Sequence, residues 1–187
     1  MNNDLSVVVL AAGLGTRMKS ELPKVLHEVL GRPMLRYTLD AVEKLKPSRT
    51  VVVVGNGADR VKAHMDDDRL TFVLQEKLLG TGDALLAAKK EIKKGMVLVL
   101  NGDCPLITPG TLRTFISKHK RNKNVLSFLS FEDDEMSGYG RIIRDERGVV
   151  KGIVEDKHAS PEQRAVCNEL NGGVILWIAA FSDLLER

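Results

Sequence analysis

Two hydrophobic periods share this chain. Unbroken runs rich in β-branched residues occur at Ser6–Leu10, Thr50–Val54, Thr71–Leu74 and Met96–Leu100. All four read as strands, and the continuous β-branched run at Thr50–Val54 is typical of one covered on both faces. Between them, apolar residues recur every three or four positions, which predicts amphipathic helices. Pro33 is pre-set for a first helical position, with Leu35, Leu39, Val42 and Leu45 on one face behind it. Gly55-Asn56-Gly57 turns the chain into a short helix over Ala58–Met65. Thr81–Ile92 puts Leu85, Ala88 and Ile92 on one side, and Thr108-Pro109 opens a helix with Leu112, Phe115 and Ile116 inward. Alternation of this kind predicts an α/β, Rossmann-like, doubly wound, mostly parallel sheet with right-handed crossovers.

After Asn124 the pattern changes. Val125–Phe131, Gly140–Arg144 and Val149–Val154 read as strands with Gly and Asp turns between them, a small antiparallel extension in the second half. Ser160 reads as an N-cap with Pro161 in the first turn and Gln163 reaching back. Asn171-Gly172-Gly173 leads into a strand over Val174–Trp177, and a helix begins at Phe181–Leu185.

Composition narrows the function classes. The 187 residues, 43% of them hydrophobic, suit one globular domain, and with only 4% aromatics the packing is aliphatic. The 28 Lys+Arg and 25 Asp+Glu are interspersed and leave a net charge of +3, which argues against nucleic acid as a partner. No apolar run approaches the ~20 residues of a membrane-spanning helix. Met1-Asn2-Asn3-Asp4 lacks the basic flank and apolar core of a signal peptide. Cys104 and Cys167 lie far apart with no Cys-x-x-Cys, which fits a reducing, cytoplasmic setting and a role as small buried hydrophobes.

The candidate chemistry starts where the first strand ends. Leu10, Ala11, Ala12, Gly13 and Gly15 carry almost no bulk, so backbone N–H groups there can approach an anion closely. Arg17 adds a planar donor fork suited to phosphate, and Lys24 follows as a second cation. A dinucleotide fingerprint is excluded because Met18 stands at the third glycine position, and no Gly-Lys-Ser/Thr closes a Walker A loop. In open parallel sheets ligands bind beyond the carboxyl ends of the strands. Asp103, after Asn101-Gly102, falls at such an end: it reads either as a metal-binding carboxylate or as a turn former, and a phosphate loop at the same edge favours the metal. Gln75 offers donor and acceptor to a base edge or merely ends a strand, and Gly80-Thr81 either approaches a ring by its backbone or simply starts a helix.

The string Leu10-Ala11-Ala12-Gly13-Leu14-Gly15-Thr16-Arg17-Met18, with Pro23-Lys24 behind it, resembles the signature of sugar-1-phosphate nucleotidyltransferases. Within that family it is most similar to the uridylyltransferase part of the bifunctional bacterial enzymes that make UDP-N-acetylglucosamine. Gln75 with Gly80-Thr81-Gly82 resembles the family's uracil-reading segment. Tyr139-Gly140-Arg141, Ile153-Val154-Glu155 and Asn171-Gly172-Gly173 resemble its sugar-binding segments. Asn101 and Gly172 depart from the family's Tyr and Thr.

The resemblance implies a nucleotide-diphospho-sugar transferase fold over residues 1–187, with 1–120 as the nucleotide-binding half. Residues 121–187 form the sugar-binding half, expected to be incomplete at its C-terminal end, where relatives continue and supply a second metal ligand. It implies UTP and N-acetylglucosamine 1-phosphate as substrates, Mg²⁺ on Asp103, and Arg17 and Lys24 as the catalytic cations. Leu10, Ala11, Ala12, Gly13, Gln75, Gly80, Thr81 and Asn101 are implied on the nucleotide, and Gly140, Glu155 and Asn171 on the sugar. Without the β-helix domain through which relatives trimerise, a monomer is expected. The alternatives are a transferase for another nucleotide or sugar phosphate, and a nucleotide-sugar-binding domain without turnover.

Overall fold

β1 (Asn2–Ala11) is the strand on which the first half is built. A 3-10 turn lies at Lys24–Leu26, then a small hairpin of β2 (Glu28–Val29) and β3 (Arg32–Pro33), and α1 (Met34–Glu43). β4 (Pro47–Val54), α2 (Ala58–Met65), β5 (Leu70–Leu74), α3 (Thr81–Ala88), β6 (Met96–Asn101) and α4 (Pro109–Arg121) continue the alternation. β7 (Leu126–Glu132), β8 (Arg141–Arg144), β9 (Val150–Val154), α5 (Pro161–Val166) and β10 (Glu169–Ile178) complete the chain. This computed structural model describes residues 2–13, 15, 18–77, 79–92, 95–133, 138–166 and 169–178. Arg17, Cys167 and the helix expected at Phe181–Leu185 lie outside the described residues.

The chain divides into two compact units, Met1–Ser127 with Ile175–Arg187, and Phe128–Val174. In the first, β5, β4, β1 and β6 lie side by side, all parallel, with Val8 opposite both Val51 and Val99. Both faces of β1, β4 and β6 are covered along their middles, as the run at Thr50–Val54 predicts for β4, whereas β5 at the sheet edge is only half-buried. Val8, Val51, Val53, Val97 and Val99 pack against Ala84, Leu85 and Ala88 of α3 and against Trp177. Val7, Val9, Val52, Val54, Leu98 and Leu100, which alternate with them, are fully buried too. From β1 the chain moves outward to β4 and β5, then returns to the other side of β1 at β6. The strand order therefore reverses between β1 and β6, which is where ligands enter such sheets.

In the second unit β8 pairs antiparallel with β9, Ile142 facing Ile153, and with β10 at Leu170 opposite Arg141. β7 pairs with β10. Ser160 caps α5 reciprocally: Gln163 N donates to Ser160 Oγ at 3.2 Å, and Ser160 N to Gln163 Oε1 at 2.9 Å.

Three local expectations need correction, and one element was not expected. Pro33 ends β3, and α1 starts one residue later at Met34. α3 stops at Ala88, where the chain tightens into a 3-10 turn over Lys89–Glu91. The β2–β3 hairpin has no counterpart in the sequence reading. Asn171-Gly172-Gly173 lies inside β10 and does not lead into it. A Cβ on Gly172 would stand 2.9 Å from the Leu129 carbonyl oxygen, so these glycines let two strands meet closely.

Candidate functional site

The carboxyl ends of β1 and β6 carry the first cluster. Leu10 pairs with Asn101 at the last rung, and Gly102 N donates to Leu10 O at 2.8 Å, extending the pairing by one bond. Gly102 is tightly enclosed: a Cβ would lie 3.1 Å from Leu10 O, 3.1 Å from Leu35 Cδ1 and 3.2 Å from Val25 Cγ1, so its neighbours would have to shift to admit a side chain. This close packing fixes the direction in which Asp103 leaves the sheet. Below it, the fully buried Thr38 of α1 shares its hydroxyl between the carbonyls of Gly102 and Cys104, 3.4 and 3.3 Å away. Thr38 was not singled out in the sequence. Its signal was a polar residue on the apolar face of α1 beside Leu35, Leu39 and Val42, a position that demands a partner.

Lys24 reaches the same point from the other side. Val25 and Leu26 bury themselves in the core and anchor the 3-10 turn, leaving Lys24 to project from it. Its ammonium forms an ion pair with the Asp103 carboxylate, the two side chains being 37% and 25% exposed. Gly15 packs against the stem of Lys24. Gly15 has φ +58°, a left-handed conformation, and a Cβ there would sit 2.7 Å from Lys24 Cβ. Met18 N donates to Gly15 O at 2.8 Å, which completes a turn. Ala11 and Ala12 are buried, while Gly13 is exposed with open space where a side chain would be. A cavity of about 360 Å³ opens beside the loop, lined by Gly13, Ser20, Pro23, Asn56, Gly57 and Arg60 among others. A cavity of about 380 Å³ lies instead at the amino ends of β4 and β5. Its arginines are engaged locally, Arg69 with Asp67 and Glu43 and Arg49 with Glu91.

Asp103 is followed by Cys104, whose thiol is pushed up by burial and by the neighbouring carboxylate, with Lys24 opposing. Cys104 therefore stays protonated near neutrality and offers no thiolate nucleophile. Among the described residues no three His, Cys, Asp or Glu cluster as metal ligands. A lone carboxylate suits Mg²⁺, which takes one or two protein oxygens and completes its shell with phosphates and water.

Gln75 and α3 form a second feature of this unit. Gln75 is buried at the end of β5, and its backbone N–H donates to Val54 O at 2.8 Å. Its side-chain amide meets Gly80 O and Asp83. Gly80 caps α3 at φ +117°, where a side chain would be strained, and Thr81 is exposed.

The second unit brings Gly140, Glu155 and Asn171 together. Asn171 N donates to Gly140 O at 2.8 Å, and a Cβ on Gly140 would lie 3.6 Å from Glu155 Oε1. Asn171 Oδ1 accepts from Gly173 N at 3.1 Å, which leaves the amide NH₂ as the donor end. Arg141 brackets the group. Its Nη1 donates to Tyr139 O at 3.1 Å and its Nη2 stands 3.5 Å from Asp156 Oδ1, one residue to either side of Gly140 and Glu155. Tyr139 is exposed and packs edge-on against Phe131, with ring centroids 5.3 Å apart.

Among the described residues no helix is long and apolar enough to cross a membrane.

The chain is similar to known proteins. Residues 7–154 match the family described as the MobA-like NTP transferase domain. The chain is 46% identical over 171 residues to the bifunctional protein GlmU of Pseudomonas aeruginosa, covering 91% of this chain and 37% of that protein. It is 45% identical over 183 residues to the bifunctional protein GlmU of Azotobacter vinelandii, covering 98% of this chain and 40% of that one. It thus spans under half the length of these relatives.

Among solved structures, HddC from Yersinia pseudotuberculosis complexed with GMP-PN superposes with a TM-score of 0.74 at 26% identity, covering 95% of this chain and 78% of that one. A UDP-glucose pyrophosphorylase complexed with UDP-glucose gives 0.75 at 18% identity, over 97% and 79% of the two chains. A putative glucose-1-phosphate thymidylyltransferase from Bacillus anthracis gives 0.79 at 16% identity, over 98% and 75%. These two show the nucleotide-diphospho-sugar transferase fold. With a glycine loop, a cation and a carboxylate meeting where the strand order reverses, and a family match over most of its length, the chain belongs to the MobA-like NTP transferase domain family.

Proposed function

We propose that this domain transfers a uridylyl group from UTP to N-acetylglucosamine 1-phosphate, giving UDP-N-acetylglucosamine and pyrophosphate, for use in building the cell envelope. The observation that carries the reading is the Lys24–Asp103 ion pair beside Gly15, at the switch point between β1 and β6. The similarity to GlmU over nearly the whole chain supports it.

A phosphate oxygen of the sugar phosphate attacks the α-phosphorus of UTP in line. The new P–O bond forms as the bond from α-phosphorus to the bridging oxygen breaks, and pyrophosphate departs. The attacker is already an anion, so no protein nucleophile is needed, consistent with the protonated Cys104 thiol. The protein's share is positioning and charge neutralisation. Lys24 neutralises charge on the phosphates, and Arg17 joins it by the family pattern. Amides of the Ala11–Gly13 turn approach the nucleotide, beside Leu10 and Asn101. Gln75, Gly80 and Thr81 take the uracil. Gly140, Glu155 and Asn171 meet the sugar. Asp103 is the residue that would hold Mg²⁺, which when bound screens the phosphate charge and orients the leaving group.

A panel of nucleoside triphosphates against sugar 1-phosphates, read by pyrophosphate release, tests the reading. UTP with N-acetylglucosamine 1-phosphate is expected to dominate. Lys24→Ala is expected to lose ~10²-fold or more in rate, the scale of one removed electrostatic stabiliser. Normal turnover by Lys24→Ala would remove the central role given to the pair.

A further inference from the structure

The Gln75 side chain is held in one orientation by groups that can only accept hydrogen bonds. Its Nε2 lies 2.7 Å from Asp83 Oδ2 and 3.2 Å from Gly80 O. An aspartate carboxylate and a peptide carbonyl both need a donor, so the amide end facing them is the NH₂. That group has two hydrogens to donate, and both acceptors lie within hydrogen-bonding distance of it. Oε1 is left as the free end, carrying lone pairs and no hydrogen. Rotating the amide by half a turn would set Oε1 against both the carboxylate and the carbonyl, inside a site where Gln75 is only 5% exposed. Repulsion between oxygens is strong there because little water screens it.

We propose that Asp83 determines base choice at this site. By holding the NH₂ of Gln75 inward, it presents a pure acceptor to the nucleobase. The class selected is a pyrimidine with an imide N–H. Uracil and thymine offer N3–H to that acceptor, whereas cytosine presents a bare N3 lone pair, which repels it. The thymine methyl group lies on another edge, so this contact does not separate uridine from thymidine nucleotides. The inference rests on the reading in which Gln75 meets the base.

A different role for Asp83 would be purely local. An acidic residue in the first turn of α3 favours the helix through its dipole. That role would change stability and leave the preference among bases untouched.

The deciding measurement is the affinity of the full chain for UTP and for CTP by titration calorimetry, which does not require turnover. Asp83→Ala is expected to lower the ratio of UTP to CTP affinity ~10-fold, the scale of one lost hydrogen bond to a charged partner. Asp83→Asn, whose amide oxygen can still accept, is expected to keep the ratio within about threefold. An unchanged ratio in Asp83→Ala overturns the proposal. Gln75→Ala separates the two levels. If it leaves the ratio unchanged, Gln75 does not read the base and the underlying reading fails. If it collapses the ratio while Asp83→Ala does not, the reading stands and the role of Asp83 falls. Should Asp83→Ala not fold, the wild-type protein still decides by amide NMR. The Gln75 side-chain NH₂ is expected to be shifted downfield and protected from exchange, and a freely exchanging NH₂ overturns the proposal.

Discussion

The two units hold their candidate binding residues by different means. In the first, the strands that aim the site are sealed: Val7–Val9, Val51–Val54 and Val97–Leu100 are at most 1% exposed. The Lys24–Asp103 pair rests on that packed floor, and close apolar contacts around Gly102 set its direction. In the second, β9 alternates between half-buried and exposed residues, and the ties are polar. Glu169 is bonded to Ser130 at 2.7 Å and to Arg144 at 2.6 and 2.7 Å. Asp156 faces Arg141, and its backbone carbonyl accepts from Arg164 at 2.6 Å. A small unit buries too little apolar surface to fix its loops by packing alone, so directional bonds take over. Orientation of the residues proposed for the nucleotide should then depend on volume, and that of the residues proposed for the sugar on charge.

The largest expected effect is on volume. Leu98 is fully buried in β6, and Leu98→Ala should destabilise the protein by roughly 2–5 kcal/mol through lost contacts and a residual cavity. Urea unfolding at low and high salt measures it, and the loss should be the same at both. A loss below about 1 kcal/mol would mean that the parallel sheet relaxes easily, and the contrast drawn above would fail.

A smaller effect is expected from Arg141→Met. Arg141 is 7% exposed, and its Nε is buried without a partner among the described residues, so part of its desolvation is already uncompensated. Losing the bonds to Tyr139 O and Asp156 should cost roughly 1–3 kcal/mol. The sharper signature is kinetic: KM for the sugar phosphate should rise while KM for UTP stays constant, because both bonds bracket Gly140 and Glu155. Equal rises in both constants would show that polar ties in the second unit serve general stability rather than the sugar site.

This division also explains what could be read from the sequence. β4 and β6 announced themselves as apolar runs, and α2 appeared with its boundaries, because burial on one or both faces writes a period into the chain. The β2–β3 hairpin left no such mark. Its residues are largely exposed, and of the two turn residues, Leu30 at φ +50° and Gly31 at φ +75°, only the second is of the usual Asn or Gly type. β10 was cut short because Asn171-Gly172-Gly173 is ordinary turn chemistry, and only a neighbouring strand turns it into a site of close approach. At the candidate site, the types of Lys24 and Asp103 were legible but their pairing was not, since it arises from the return of β6 to the side of β1. Asp83 passed unnoticed because acid in a first helical turn is common. Its partner Gln75 is brought near by the packing of α3 on the sheet.

The smallest expected effects come from acid, and they should reach the two units at different pH. His119 lies in the first unit, 3% exposed, with Nδ1 bonded to Ser127 Oγ at 2.9 Å and Nε2 buried without a partner among the described residues. Burial pulls its pKa below the usual 6.5. The unfolded chain therefore takes up the proton first, and stability should fall as pH drops below about 6.5, levelling off once the folded form is protonated too. His119→Leu should flatten that segment of the profile. Glu169 lies in the second unit, and the Arg144 guanidinium together with the Ser130 hydroxyl holds its carboxyl below the usual 4.5. Its contribution is present above about pH 4.5 and lost as pH falls through the folded value, so Arg144→Met should alter the profile only below that point. Arg144 is partly exposed, so the change should stay under about 1 kcal/mol. Stability followed by urea midpoint from pH 8 to 3, in the three proteins, checks both, with expected breaks near 6.5 and 4.5 in the wild type. A single break near 4.5, untouched by His119→Leu, would mean that the packed unit tolerates a buried charge, and that the contrast between volume and charge does not extend to titration.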